Sequence, residues 1–489
     1  MEKRHSWPSQ FIYILAAVGC AAGLGNLWRF PMLAYEYGGA AFIIALILSN
    51  IVIVFPLMMF ETIVGQRAQA GPPKSMEALK KGTGWIQWLG TFGILGILIY
   101  YVPVLGWGIN YLGESLSGNF LNNPSEYFVT DILGLSSGIQ ELGSLQIPLL
   151  ISVTIAYIMI ILSLRKGIQS MSKVIHFTAI APFIILFIFI IRGITLPGAS
   201  EGLRAFFIPD WQQLGNITLW KEAISQSFFS ASLAMGYFMY AGGHRAKNAE
   251  VARSSLWIIA GNFFVSFLSG IAVFSTLGFM AQQQGVPISE AATGGPMLVF
   301  SVLPTAISMM PTFKIGFAVL LFLTVATLAI DSIFGMFELA VASFMDIKKK
   351  YEGHFQTFLS VIVITFILGI PICFGAGLYF LDIMDHFISG YILTFIGMLE
   401  CIVASYMVGA NTIRKWINET TNLKIGKWFN VVMNVLPIIL GILLLVTLKK
   451  EFEIPYEGYP MWALYSFGVF PLALIGILSA IFHQKTKSS

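Results

Sequence analysis

Stretches of about 20 apolar residues, the length that crosses a bilayer as a helix, recur along this chain with no polar domain between them. Twelve can be drawn: 11–33, 40–66, 85–114, 145–164, 172–194, 221–243, 254–281, 314–344, 355–375, 387–410, 427–448 and 460–483. Residues 174–191 and 429–448 contain no Asp, Glu, Lys or Arg. Lipid offers no partner to the backbone of an open strand, so each stretch is expected to be helical. By length alone, 489 residues would divide into about three soluble domains. Only 11% of them are charged, however, against about 25% in a soluble protein. The expectation is one all-α membrane domain over residues 1–489.

Charge placement orients it. With the N-terminus inside, most of the 28 Lys and Arg fall in the loops on that side, among them Lys74, Lys80, Lys81, Lys166, Lys348, Lys349, Lys350 and Lys424. The loop over 116–147 has none. Both termini are therefore expected in the cytoplasm of a multi-pass cell-membrane protein. The loops 115–144 and 195–220 would be external, and the Gly- and Pro-marked stretch 282–313 would fold over the outer face as a short hairpin. The N-terminal apolar run continues past Gly25 without a cleavage site, so it reads as a retained span. A net charge of +4 with no basic stripe gives nucleic acid no footing. Cys20, Cys373 and Cys401 form neither a metal spacing nor an even disulfide set. The enzyme motif HExxH is missing from the sequence.

Polar residues inside the apolar stretches are the candidates for function. The first stretch reads LAAVGCAAGLGNLWRFP, with Gly19, Gly23 and Gly25 beside Asn26 and Arg29. Glycines there permit close helix packing. They also suit an interrupted helix, whose freed carbonyls hold a cation and whose free N–H groups hold a carboxylate. The sixth stretch, QSFFSASLAMGYFMYAGG, has Ser230, Ser232 and Gly236 in its middle, again either packing residues or a break. Breaks at these two places match two five-helix inverted repeats, approximately 8–195 and 221–410, with two additional helices over 427–483. Asp331 lies mid-stretch in TVATLAIDSIFGMFE, with no Lys or Arg within a helical turn. A central carboxylate costs about 2.5–3.5 kcal/mol on insertion scales. It is either protonated and hydrogen-bonded, or neutralised by a hard cation such as sodium. Glu61, Glu338 and Glu400 read as network or packing residues.

From GLGNLWRFP (23–31) onward the sequence resembles the neurotransmitter:sodium symporter family of LeuT-type transporters. YEYGGAAF (35–42), PLMMFETIVGQ (56–66), IYY (99–101), QSFFSAS (226–232), Asn262, IDS (330–332) and LDIMDHF (381–387) follow in the family's order. The resemblance covers essentially the whole chain. It implies twelve transmembrane helices, a 5+5 inverted repeat with helices 1 and 6 unwound, and sodium-coupled import of an amino acid by alternating access. One sodium would contact the Ala21 carbonyl, Asn26, Ser230, Asn262 and the substrate carboxylate. A second would contact the carbonyls of Gly19, Ala22 and Leu328 with Asp331 and Ser332. A carboxylate in Asp331's place resembles the animal branch.

For the substrate, the resemblance implies that Leu24 and Gly25 N–H groups and the Tyr101 hydroxyl hold the carboxylate. Carbonyls of Ala21, Phe229 and Ser230, with the Ser232 hydroxyl, would hold the amine. Ile97, Tyr101, Phe229, Met235, Ser332 and Met336 would line a mostly apolar side-chain pocket, which favours a small apolar or aromatic amino acid. Monoamine members place Asp where this chain has Gly23, so the substrate is expected to bring its own carboxylate. Arg29 and Asp385 would bridge the outer gate over Tyr101 and Phe229; Arg4, Trp7 and Asp346 would close the inner one. Gln226, Ser230, Asn262 and Ser266 match a chloride site and allow chloride, although Leu46 replaces the family's Tyr. His244 stands where a Tyr often serves the inner gate, and Thr178 precedes Pro182 by four residues, where some relatives have Gly. Expected partners are the amino acid and the lipid bilayer; the family also allows a homodimer. The competing readings are a receptor or channel on the same fold and a proton-coupled carrier.

Overall fold

The structure, a computed structural model, describes residues 6–291, 294–347 and 353–487. Among them helices carry the whole architecture, and the single β-bridge joins Leu145 to Phe374. Ten helices are long and apolar enough to cross a membrane, and one bent pair passes the same test jointly. We label the pair α1 (Gln10–Ala21) and α2 (Leu24–Glu36), then α3 (Ala40–Ala68), α4 (Gly84–Glu114), α5 (Ile147–Leu164) and α6 (Ile168–Ile194). Two shorter helices follow, α7 (Ile217–Ser230) and α8 (Tyr237–Gly243). The rest are α9 (Ala252–Gln284), α10 (Lys314–Met345), α11 (His354–Cys373), α12 (Gly377–Thr420), α13 (Trp428–Gly458) and α14 (Met461–Thr486).

Burial separates the interior helices from the lipid-facing ones. The most apolar windows of α4 and α10 are 83% and 78% buried, against 22% for α13 and α14. α4 and α10 pack on each other, and both carry small or polar residues toward the centre. The outer helices instead present Leu445, Val446, Phe470 and Ile477 outward, as lipid requires.

The sixth expected stretch is divided. α7 ends at Ser230 and α8 begins after Gly236. Between them Ser232 (φ 51°), Ala234 (φ 60°) and Gly236 (φ 83°) all take left-handed backbone. Two of the three are not glycine, a conformation that costs on the order of 1–3 kcal/mol each and must be held by its surroundings. The holder is Glu61 of α3, whose carboxylate accepts the Ala234 N–H at 2.8 Å. α3 approaches α8 closely because Gly65 has no side chain: a Cβ there would lie 1.9 Å from the Met239 carbonyl oxygen.

The stretch over 282–313 contains the short apolar helix Gly295–Met309. Its Phe300 carbonyl accepts the Tyr111 hydroxyl of α4 at 2.9 Å, and its rings stack among Tyr111, Phe128 and Phe322. In the 195–220 loop, Ala199–Phe207 forms a helix lying against α9.

Candidate functional site

α1 stops at Ala21 because the next two residues leave helical geometry: Ala22 has ψ 77° and Gly23 ψ −165°. The chain resumes as α2 at Leu24, bent by 65° from α1. A helix restarting in the interior leaves N–H groups with positive character at its beginning. This break and the one after α7 face each other across a cavity of about 30 Å³ lined by Cys20, Ala21, Gly23, Gly25, Asn26, Ile97, Tyr101, Phe229, Ser230, Ser232, Met235, Ser332 and Met336. Every residue expected to line the substrate pocket is there except Leu24. Its backbone N–H instead donates to the Tyr101 hydroxyl at the cavity wall, 3.1 Å away. Cys20, Gly23 and Asn26 were not among the expected lining residues, although all three lie within or beside the glycine-marked break.

Small residues keep this cavity open. A Cβ on Gly23 would lie 2.9 Å from both the Tyr101 and the Ser332 hydroxyls, and one on Gly25 would lie 2.6 Å from the Phe229 ring. The Ser332 and Ser232 hydroxyls both donate to the Cys20 carbonyl, at 2.9 and 3.2 Å. α10 and the second break are thereby tied to the same carbonyl of the first.

Beside the cavity, four polar side chains bond mainly to one another. Asn26 Nδ2 donates to Asn262 Oδ1 (2.8 Å) and to Ser266 Oγ (2.9 Å). Ser230 Oγ donates to Asn26 Oδ1 at 3.2 Å and accepts from Asn262 Nδ2 at 2.9 Å. Gln226 reaches the Gly25 carbonyl at 3.4 Å, and its own amide oxygen is buried without a partner among the described residues. Leu46, in the family's Tyr position, is buried.

A second, smaller cavity of about 10 Å³ is lined by Gly19, Ala22, Thr178, Leu328 and Asp331, among others. Asp331 is 2% exposed. The Asp331 carboxylate lies directly on the Gly19 backbone, where a Cβ would come within 2.6 Å of its Oδ2. The Thr178 hydroxyl of α6 donates to Oδ1. Just beyond Thr178, Ala179 and Ile180 interrupt α6 before it resumes at Ala181. Ser332 is turned from this cavity toward the Cys20 and Leu328 carbonyls. Among the described residues no group of three His, Cys, Asp or Glu could hold a metal ion. The cavity is lined by neutral groups and one carboxylate, that of Asp331.

Above the first cavity opens a vestibule of about 550 Å³ lined by Arg29, Glu222, Asp385, His386, Glu451 and Tyr456, among others. Arg29 and Asp385 both face it, but the bridge expected between them is not made. Arg29 pairs with Glu222 at 3.4 Å, donates to Ser225 at 2.9 Å and lies 5.7 Å from the Phe229 ring centre. Asp385 accepts from Tyr100 (2.6 Å) and Ser389 (2.8 Å). Glu222 takes the guanidinium instead. On the opposite side, Trp7 is buried against α8, its indole N–H on the Ala241 carbonyl at 3.0 Å and its backbone N–H on the His244 carbonyl at 3.1 Å. Asp346 accepts the Gly71 N–H; Arg4 lies outside the described residues.

The model of the sodium:neurotransmitter symporter family matches residues 4–122 and 118–487. An uncharacterized sodium-dependent transporter of Methanocaldococcus jannaschii is 32% identical over 99% of this chain and 98% of its own length. A sodium- and chloride-dependent taurine transporter of Bos taurus is 29% identical over 94% of this chain and 81% of its own. A sodium- and chloride-dependent GABA transporter 2 of Rattus norvegicus is 31% identical over 86% of this chain and 76% of its own.

Proposed function

The chain belongs to the sodium:neurotransmitter symporter family, and from that premise we propose that it imports a small amino acid with an apolar or aromatic side chain, driven by two sodium ions. It is a multi-pass membrane transporter of a sodium-dependent family and not an enzyme. In this reading it has twelve spans, with α1/α2 and α7/α8 as the two broken ones in halves of an inverted repeat, and both termini in the cytoplasm. One observation carries the proposal: two interrupted helices meet at a cavity, and a buried carboxylate lies against the backbone of one interruption.

The roles follow from chemistry. The substrate carboxylate takes the Leu24 and Gly25 N–H groups at the start of α2, displacing the Tyr101 hydroxyl from Leu24. A helix start favours an anion. Carbonyls of Ala21, Phe229 and Ser230 with the Ser232 hydroxyl take the amine. Ile97, Met235 and Met336 take the side chain, and their apolar surface disfavours a polar one. The first sodium sits between Asn26, Ser230, Asn262, the Ala21 carbonyl and the substrate carboxylate. The second sits on Asp331, with Gly19, Ala22 and Leu328 carbonyls and the Ser332 hydroxyl, which must turn from Cys20 to reach it. Chloride beside Gln226, Ser230, Asn262 and Ser266 balances charge.

On substrate binding Phe229 and Tyr101 close over the cavity, and Arg29 exchanges Glu222 for Asp385. The inner side then opens at Trp7 and Asp346, where Arg4 joins the closed gate. Radiolabelled leucine and phenylalanine uptake into proteoliposomes tests the proposal. Uptake is expected with an inward sodium gradient and to vanish in choline. Accumulation driven by a pH gradient in sodium-free buffer would instead establish a proton-coupled carrier. Preference for taurine or GABA, the substrates named for two relatives, would overturn the apolar assignment.

A further inference from the structure

We propose that Arg245 is a positioning residue for transport: stacked on Tyr13, it latches the inner half of the first broken helix and sets how readily the inner side opens. The inference rests on the alternating-access reading above and adds to it a contact between α1 and the segment that follows α8.

Arg245 is an unusual cation for its surroundings. It is 5% exposed, and its charge meets no carboxylate at salt-bridge distance among the described residues. Nη2 donates to the Glu250 carbonyl (2.8 Å) and the Ser254 hydroxyl (3.0 Å), while Nη1 is buried with no partner. The compensating surface is aromatic: the guanidinium lies 4.2 Å from the centre of the Tyr13 ring, which is itself 1% exposed. A desolvated guanidinium on an aromatic face is strongly held. Buried charges are otherwise retained only when paired.

The location gives the contact its consequence. Tyr13 is on α1, which ends at the break after Ala21 and can swing as a unit about it. The other ties from this end of α1 run to the same region: Trp7 to Ala241 and His244, and Gln10 to Ser254 at 3.2 Å. The segment after α8 is in turn pinned to α3, where Gln66 donates to the Lys247 and Ala249 carbonyls and Gln69 to the Arg245 carbonyl. Arg245 is therefore fixed to the scaffold while Tyr13 moves with the lever. Swinging α1 outward must lift the ring off the guanidinium.

Cys20 lines the central cavity and reports the opening. In a chain with Cys373→Ala and Cys401→Ala, inverted membrane vesicles are treated with a charged methanethiosulfonate, with and without sodium. In sodium-free buffer, Tyr13→Leu and Arg245→Ala are expected to label Cys20 about tenfold faster than the parent. Tyr13→Phe, which keeps the ring face, should match the parent, and Tyr13→Trp should label more slowly. The conservative ring variants keep the test informative if Tyr13→Leu or Arg245→Ala fails to fold. Labelling at the parent rate in both Tyr13→Leu and Tyr13→Trp would overturn the latch. Sodium should slow labelling of the parent; if it does not, the sodium reading fails while the latch is still decided by the sodium-free rates.

Discussion

At the scale of single residues, Asp331 and Gly23 give separate tests of the two proposed cargoes. Asp331 is the one carboxylate at the smaller cavity, so Asp331→Asn removes charge without volume. Sodium affinity should fall by about two orders of magnitude, the equivalent of roughly 3 kcal/mol for an uncompensated partner, and sodium-driven uptake with it. Sodium titration of thermal stability and uptake measures both; unchanged sodium-coupled transport would remove the assignment. Asn26→Ala should likewise abolish sodium-dependent uptake, because it strips a proposed ligand and also removes the donor that Asn262 and Ser266 accept from. Gly23→Val is aimed at the central cavity. Its side chain would start 2.9 Å from two cavity hydroxyls and fill a space of only about 30 Å³. Substrate binding should be lost while sodium at the Asp331 site still stabilises the protein, a separation that calorimetry of each ligand can read.

At the scale of elements, the breaks depend on neighbours that the sequence pattern left in the background. Glu61 reads from sequence as a network or packing residue, and it anchors the left-handed turn between α7 and α8 through the Ala234 N–H. Glu61→Ala leaves that buried donor unmet and should lower stability by about 1–3 kcal/mol, seen as a reduced melting temperature. A melting temperature equal to the parent's would show that the turn holds itself. Long helices such as α4 and α10 were legible because apolar length alone specifies them. The first break was legible through Gly23 and Gly25, and the residues that line the central cavity through ordered motifs. Other features depend on partners distant in sequence. Thr178 meets Asp331 across 153 positions, and Arg29 finds Glu222 across 193 rather than Asp385. No local period encodes such choices. Cys20 escaped notice because its carbonyl, which has no sequence signature, is what the Ser232 and Ser332 hydroxyls hold.

At the scale of the whole molecule, the two cavities are mechanically one. The first break supplies Gly19 and Ala22 to the Asp331 cavity and Ala21, Gly23 and Gly25 to the central one. A cation that fixes one side of this short segment also fixes the other, so ordering done for sodium need not be repeated for substrate. Coupling of this kind is reciprocal by linkage: whatever factor sodium adds to substrate affinity, substrate must add to sodium affinity. The expected factor is on the order of 5–150, or 1–3 kcal/mol. Substrate titrated calorimetrically at low and saturating sodium, and sodium titrated without and with saturating substrate, give the two factors independently. They should agree in the parent and shrink together in Asp331→Asn. Part of the coupling should survive that substitution, because the first sodium would still share the substrate carboxylate beside Asn26. Complete loss of coupling in Asp331→Asn would mean that the substrate carboxylate contacts no cation, and the central site would then have to be redrawn without a sodium in it.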